Sequence, residues 1–178
     1  MRIISGKYGG RKLFSPKGDD VRPTTDRVKE ALFNILQFKV RNAVVLDLFS
    51  GSGALGIECV SRGAKEVIFS DNDRKSIELV NRNLSGIEFN GQILQSDYLR
   101  VISNSKAKFD IIFLDPPYNS GLAEKAILEI LKCDILSNDG IIVYEHVRKL
   151  AYTPPEGLFL DDSRKYGDIQ LDFIVKVK

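Results

Sequence analysis

Residues 113–119 read FLDPPYN, and their types suit the capture of a hydrogen-bond donor. The strand-like run FDIIFL stops at Asp115, Pro116 and Pro117, and Tyr118 and Asn119 follow. Proline fixes its own φ, donates no hydrogen bond and drives the residue before it toward an extended conformation. The backbone at Asp115 and Pro116 is therefore stiff, and its carbonyls are available as acceptors. By itself such a strand end is also an ordinary turn, so its meaning depends on its neighbours.

The second stretch with chemical potential is DLFSGSGALG, where Gly51, Gly53 and Gly56 fit G-x-G-x-x-G directly after a strand-like run and at the opening of a helix. Glycines let such a turn bend tightly and let a ligand touch the backbone, while the free N–H groups of a helix start attract an anion. A pyrophosphate or a carboxylate would suit. Asp71 stands twenty residues beyond Gly51, at the end of the second run, where an acid can accept from both hydroxyls of a ribose. Asp97 ends the third run and could take the amino group of an adenine, with Asn72 or Tyr98 lining the ring. Each acid could equally cap a helix. Taken alone, the fingerprint fits a nicotinamide or flavin enzyme as well as a methyltransferase. The chain spends itself on one sheet, however, and offers one histidine, His146, which follows a strand and reads as structural.

The elements that would position these residues alternate. AVVLDLF, EVIFSD, GQILQSD, FDIIFLD and GIIVYEH are short, nearly continuous apolar runs, as expected for parallel strands covered on both faces. Helical stretches at 54–62, 74–83, 98–103 and 122–132 separate them. This predicts an α/β fold, a doubly wound and mostly parallel sheet, closed by an antiparallel hairpin around YGD in the tail. At the other end, RIISGKY and RKLF flank Gly9 and Gly10 and read as a small hairpin. A helix is expected from Thr24 or Thr25, with Val28, Ala31, Leu32, Ile35 and Leu36 as its apolar stripe.

With 178 residues and 43% hydrophobic content, the chain is expected to form one domain, 1–178, in which residues 1–22 are a basic extension. No apolar run is long enough to span a bilayer and the first residues lack a signal peptide's apolar block, so a cytoplasmic protein is expected. Cys59 and Cys133 have no metal-ligand spacing; they read as core residues, and no metal is expected. The net charge of +2 is uneven: residues 1–42 carry ten Lys or Arg against four Asp or Glu, the remainder sixteen against twenty. A basic arm on an acidic body suits a polyanionic partner.

DLFSGSG, an acid after the second strand and DPPY after the fourth together resemble the class I S-adenosylmethionine-dependent amino-methyltransferases. The resemblance implies that Asp47, Phe49, Gly51, Ser52, Gly53, Asp71, Asn72, Asp97 and Tyr98 hold S-adenosylmethionine. Asp115 and the Pro116 carbonyl would hold the N–H groups of an amine, Pro117 would keep them rigid, and Tyr118 would stack on a base taken out of its helix. Three further stretches, MRIISGKYGGRKL, RPTTDRVKEALFNIL and KYGD, are similar to the RsmD-type family, which methylates the N2 amine of one guanine in bacterial 16S ribosomal RNA. By that likeness Thr24 joins the cofactor site, and Arg2, Lys7, Arg11, Lys12, Arg22 and Arg27 grip RNA. The expected partner is 16S ribosomal RNA within the small subunit or an assembly intermediate, met by a monomer. The family often has Ala at Ser50 and Glu at Asp71. An adenine-N6 DNA methyltransferase and a noncatalytic RNA-binding module are the alternatives.

Overall fold

The apolar runs become strands of one sheet in a computed structural model that describes residues 1–16, 25–117, 120–148 and 152–177. In chain order the elements are α1 (Asp26–Ile35), β1 (Val44–Asp47), α2 (Ala54–Ser61), β2 (Glu66–Asp71), α3 (Arg74–Leu84), β3 (Gly91–Gln95) and α4 (Tyr98–Asn104). Then come β4 (Phe109–Leu114), α5 (Leu122–Lys132), β5 (Leu136–Val147), β6 (Leu158–Tyr166) and β7 (Ile169–Lys176). The seven strands lie in the order β3-β2-β1-β4-β5-β7-β6. Strands β1 to β5 pair in parallel, whereas β7 joins β5 and β6 antiparallel, as the tail predicts. The last hairpin turns at Gly167, φ +61°, and Tyr166 faces Ile169.

The chain reverses its direction of travel across the sheet between β1 and β4, and a crevice opens there at the carboxyl ends of the strands. Alternation within each strand feeds two cores. Val45, Ile111, Phe113 and Val143 pack with residues of α1, α2 and α3; Leu46, Ile112, Leu114 and Ile142 pack with α4 and α5. Cys59 is buried in the first core, while Cys133 is only partly covered at the end of α5, where its thiol contacts Glu129.

Two local expectations are corrected. The buried face of α1 is Val28, Lys29, Leu32 and Phe33, followed by the capping Leu36, and Ile35 is left exposed. Phe33 turns that face toward the sheet, meeting Phe113 at 6.1 Å, and an acid on α2 draws Lys29 inward. The N-terminal hairpin is reduced to one antiparallel bridge, Arg2 to Lys12, around a broad turn rather than a two-glycine one. The reason is competition for its amides: Ile4 and Ser5 donate to the Glu58 carboxylate at 2.8 and 3.0 Å, Lys7 to the Ser61 carbonyl and Tyr8 to the Ser61 hydroxyl. The arm is thus stitched to α2. Gly6, at φ +87°, has no room for a side chain, since a Cβ there would meet the Ser61 carbonyl.

Candidate active site

Three carboxylates stand in a row across the crevice. Register sets Asp47 level with Phe113 and carries Asp115, one residue past the end of β4, alongside Glu145, the neighbour of Tyr144, which pairs with Leu114. Alternation turns all three toward the α1 and α2 side. Asp47 and Glu145 are buried, Asp115 and Pro117 are more open, and Pro116 is buried between them. Burial pushes the Asp115 carboxyl well above the usual range, and the charges of Glu145 and Asp47 push it further. Burial also raises Asp47 to about 7; the Gly56 N–H opposes this and the Asp71 charge adds to it. Burial, with the charges of its neighbours, thus disfavours the ionised form of both Asp115 and Asp47. The row therefore holds protons or takes hydrogen bonds from a donor that enters.

The glycine turn closes the adjoining wall. Gly51 and Gly53 adopt positive φ, +52° and +77°, and Gly53 opens α2 as its left-handed cap. Asp47 accepts from the Gly56 N–H at 3.0 Å, and a Cβ on Gly56 would collide with the Phe69 ring. Asp71 accepts from the Gly51 N–H at 2.9 Å and from the Asp73 N–H at 2.9 Å, so it fixes the turn as well as facing the crevice. Ser50 binds the Ser70 carbonyl through both its N–H, at 2.9 Å, and its hydroxyl, at 3.0 Å, tying the turn to β2. Where a side chain would stand on Gly51 there is open space. Phe49 and Tyr98 pack against each other on the α4 side of the sheet, their ring centroids 5.3 Å apart.

The remaining positions separate. Asp97 caps α4, accepting from the Leu99 and Arg100 N–H groups through one oxygen, and Asn72 is exposed after β2. Arg2 and Lys7 are exposed but paired with Asp26 and Glu88, and Lys12 and Arg27 are exposed. Arg11 is half-buried because its guanidinium donates to the Ser85 carbonyl at the end of α3, a contact the sequence does not announce. Thr24, Arg22 and Tyr118 lie outside the described residues. His146 is buried, stacked on Tyr144 and bound to Asp172 at 2.9 Å, which makes it a packing residue of β5 and β7. A groove of about 590 Å³ between β3 and α4 contains none of the crevice residues.

Sequence reading missed Glu145, hidden in an apolar run. It also missed Asn83, whose buried amide donates to the Ser52 carbonyl at 2.9 Å and so braces the turn from α3. The one signal for Glu145 was an acid near the end of its strand, and its place beside Asp115 follows only from the pairing of β4 with β5. For Asn83 there was none, because its partners are distant in sequence.

A doubly wound sheet with a glycine turn, strand-end acids and an Asp-Pro-Pro strand end beside them defines a class I methyltransferase. The profile of the family described as "Conserved hypothetical protein 95" matches residues 1–175. Ribosomal RNA small subunit methyltransferase D of Haemophilus influenzae is 38% identical, over 94% of this chain and 89% of its own length. The solved structure of Escherichia coli YhhF is 32% identical with a TM-score of 0.89, covering 99% of this chain and 97% of that one. The 16S rRNA N2 G1207 methyltransferase RsmC of Thermus thermophilus, solved with AdoMet and guanosine, shares the fold at TM-score 0.69 and 24% identity, over 91% of this chain and 45% of that one. The chain belongs to the ribosomal RNA small subunit methyltransferase D family, whose members are S-adenosylmethionine-dependent enzymes.

Proposed function

We propose that this enzyme methylates the exocyclic N2 amine of one guanine in 16S ribosomal RNA, in the cytoplasm, as a monomer acting on the small subunit or an assembly intermediate. The observation that carries the reading is the register that brings Asp115 and the Pro116 backbone beside Asp47 and the glycine turn. An amino group conjugated with a purine ring is a weak nucleophile, because its lone pair is delocalised. Asp115 and the Pro116 carbonyl accept its N–H groups and aim the lone pair, and the proline pair stops them from relaxing. A donor entering the carboxylate row also offsets the burial, and with it the repulsion, that raise Asp115. Positioning and oriented dipoles are then the enzyme's main contribution.

The crevice fits S-adenosylmethionine. Gly51 has open space where any other residue would put a Cβ, and Asp71 keeps acceptor capacity for ribose hydroxyls beyond its two backbone bonds. Asp97 retains a second oxygen for an adenine amino group, and Phe49 and Tyr98 offer aromatic walls. When bound, the cofactor supplies an activated methyl on a sulfonium. Asp47, Ser52, Gly53, Asn72 and Thr24 complete the proposed cofactor set, and Tyr118 is assigned to stacking on the target base. Residues 1–22, with Arg2, Lys7, Arg11, Lys12 and Arg22, together with Arg27 of α1, hold phosphates.

Asp115→Ala tests this assignment. Methyl transfer is expected to vanish while S-adenosylmethionine affinity, measured by calorimetry, stays within about threefold, since each lost hydrogen bond here acts on the amine. Equal loss of both would place Asp115 in the cofactor site instead.

A further inference from the structure

One aromatic ring near the crevice has no part in the site described above. Phe14 follows the arm's bridge and leaves 47% of its surface exposed. It is nevertheless held firmly. The Asn83 side chain accepts from the Phe14 N–H at 2.8 Å and donates to the Phe14 carbonyl at 3.0 Å. The same amide group of Asn83 reaches the Ser52 carbonyl, so the backbone of Phe14 and the glycine turn share one anchor that is itself only 2% exposed. The backbone that carries the ring is therefore fixed to the same anchor as the glycine turn. Over it lies the guanidinium of Arg82, 3.4 Å from the ring centroid and exposed at the surface. Lys12, two residues earlier, is exposed while Leu13 between them is buried, so Lys12 and Phe14 project to the same side of the arm.

An exposed ring gains nothing from water, and here its backbone is immobilised in advance. Pre-ordering of this kind removes entropy that a partner would otherwise lose on binding. A planar apolar face, a guanidinium plane and an adjacent lysine are together the chemistry of an unpaired nucleotide: the base stacks, and its phosphate meets the cations. A folded protein surface would need a broader apolar patch than one ring. We infer that Phe14 and Arg82 form a stacking platform for an unpaired nucleobase of the RNA substrate, next to the target nucleotide. This inference rests on the ribosomal RNA reading above and extends it to a second base.

The chain contains no tryptophan, so Phe14→Trp places its one tryptophan on the platform. Its emission is expected to be quenched when small ribosomal subunits lacking the methyl group are added, and also by their 16S RNA stripped of protein. Phe14→Ala is expected to weaken binding of that RNA by about 5- to 150-fold, the range for loss of one base–aromatic stack. Phe14→Trp should restore that affinity. The salt dependence of binding should be unchanged in Phe14→Ala, because no phosphate contact is lost, and S-adenosylmethionine affinity should stay within about twofold. Binding of Phe14→Ala as tight as wild type, or no quenching on RNA that the wild type binds, overturns the platform and leaves the methyltransferase reading intact. Quenching by the intact subunit but not by its RNA would mean that the ring meets a ribosomal protein, which also overturns it. Failure of the wild type itself to bind either the RNA or the small subunit would overturn both.

Discussion

At the residue scale the site is governed by carboxylates held away from water. Asp47 titrates at about 7 in the folded chain because of its burial, against about 3.9 for an ordinary aspartate. Its folded pKa is raised, so between roughly pH 4 and 7 the folded protein keeps a proton that the unfolded chain has lost, and stability falls as pH rises through that window. The slope is at most about 1.4 kcal/mol per pH unit for one group. Asp47→Asn keeps the acceptor for the Gly56 N–H and removes the titration. Without cofactor, the Tm of the variant minus that of wild type should therefore grow by roughly 5–10 °C from pH 5 to pH 8. A difference that stays flat would mean that Asp47 is ionised throughout. At this scale the sequence was informative where chemistry is local: Asp115 and its prolines, the three glycines and the strand-end acids could all be placed by spacing alone. It was silent on Glu145 as a neighbour of Asp115, since that proximity exists only after β4 and β5 pair.

At the scale of elements, the decisive device is the buried group that fastens the N-terminal arm. Glu58 on α2 meets Lys29 of α1 at 3.3 Å and Arg62 at 2.8 Å, and accepts the Ile4 and Ser5 amides. Lys29 also donates to the Arg2 carbonyl. Burial pulls the Lys29 pKa down, and the Glu58 charge counters it. The arm, α1 and the end of α2 thus converge on one carboxylate. Removing one partner of a buried ion pair costs about 3–5 kcal/mol, because the other charge stays buried. Glu58→Gln should lower Tm by roughly 6–20 °C and speed hydrogen exchange at the Ile4 and Ser5 amides. A loss under about 2 °C would show the charge to be dispensable. The helix and strand periodicities were legible: α5 runs from Leu122 to Lys132 as its pattern indicates, and β1 to β4 lie within their apolar runs, whereas β5, Leu136–Val147, passes both ends of GIIVYEH. The fastening was not, because Ile4, Lys29 and Glu58 are far apart in sequence and a charged residue on a helix reads as solvent-facing. For the same reason the hairpin was expected to bond to itself, whereas most of its turn amides bond to α2.

At the scale of the whole molecule, sheet order converts those contacts into a working geometry. The reversal between β1 and β4 puts the glycine turn and the Asp-Pro-Pro end side by side, and the arm, anchored on α2 and α3, brings Lys7, Lys12 and Phe14 to the same body. Among the described residues no helix is long and apolar enough to cross a membrane. The alternation of strands and helices made a doubly wound, mostly parallel sheet foreseeable, since parallel strands need crossovers and crossovers have one hand, but not the strand order itself. The relation of the arm to the crevice was not foreseeable, because Asn83 joins Phe14 to Ser52 across three separate segments. The central claim is that this arrangement transfers a methyl group to one guanine amine of the small subunit. Its most direct test is to incubate the protein with labelled S-adenosylmethionine and small ribosomal subunits that lack the modification, then digest the RNA and identify the labelled nucleoside by mass. The account predicts N2-methylguanosine at a single site. Label in N6-methyladenine, or no label in RNA while the protein binds the cofactor, would contradict it.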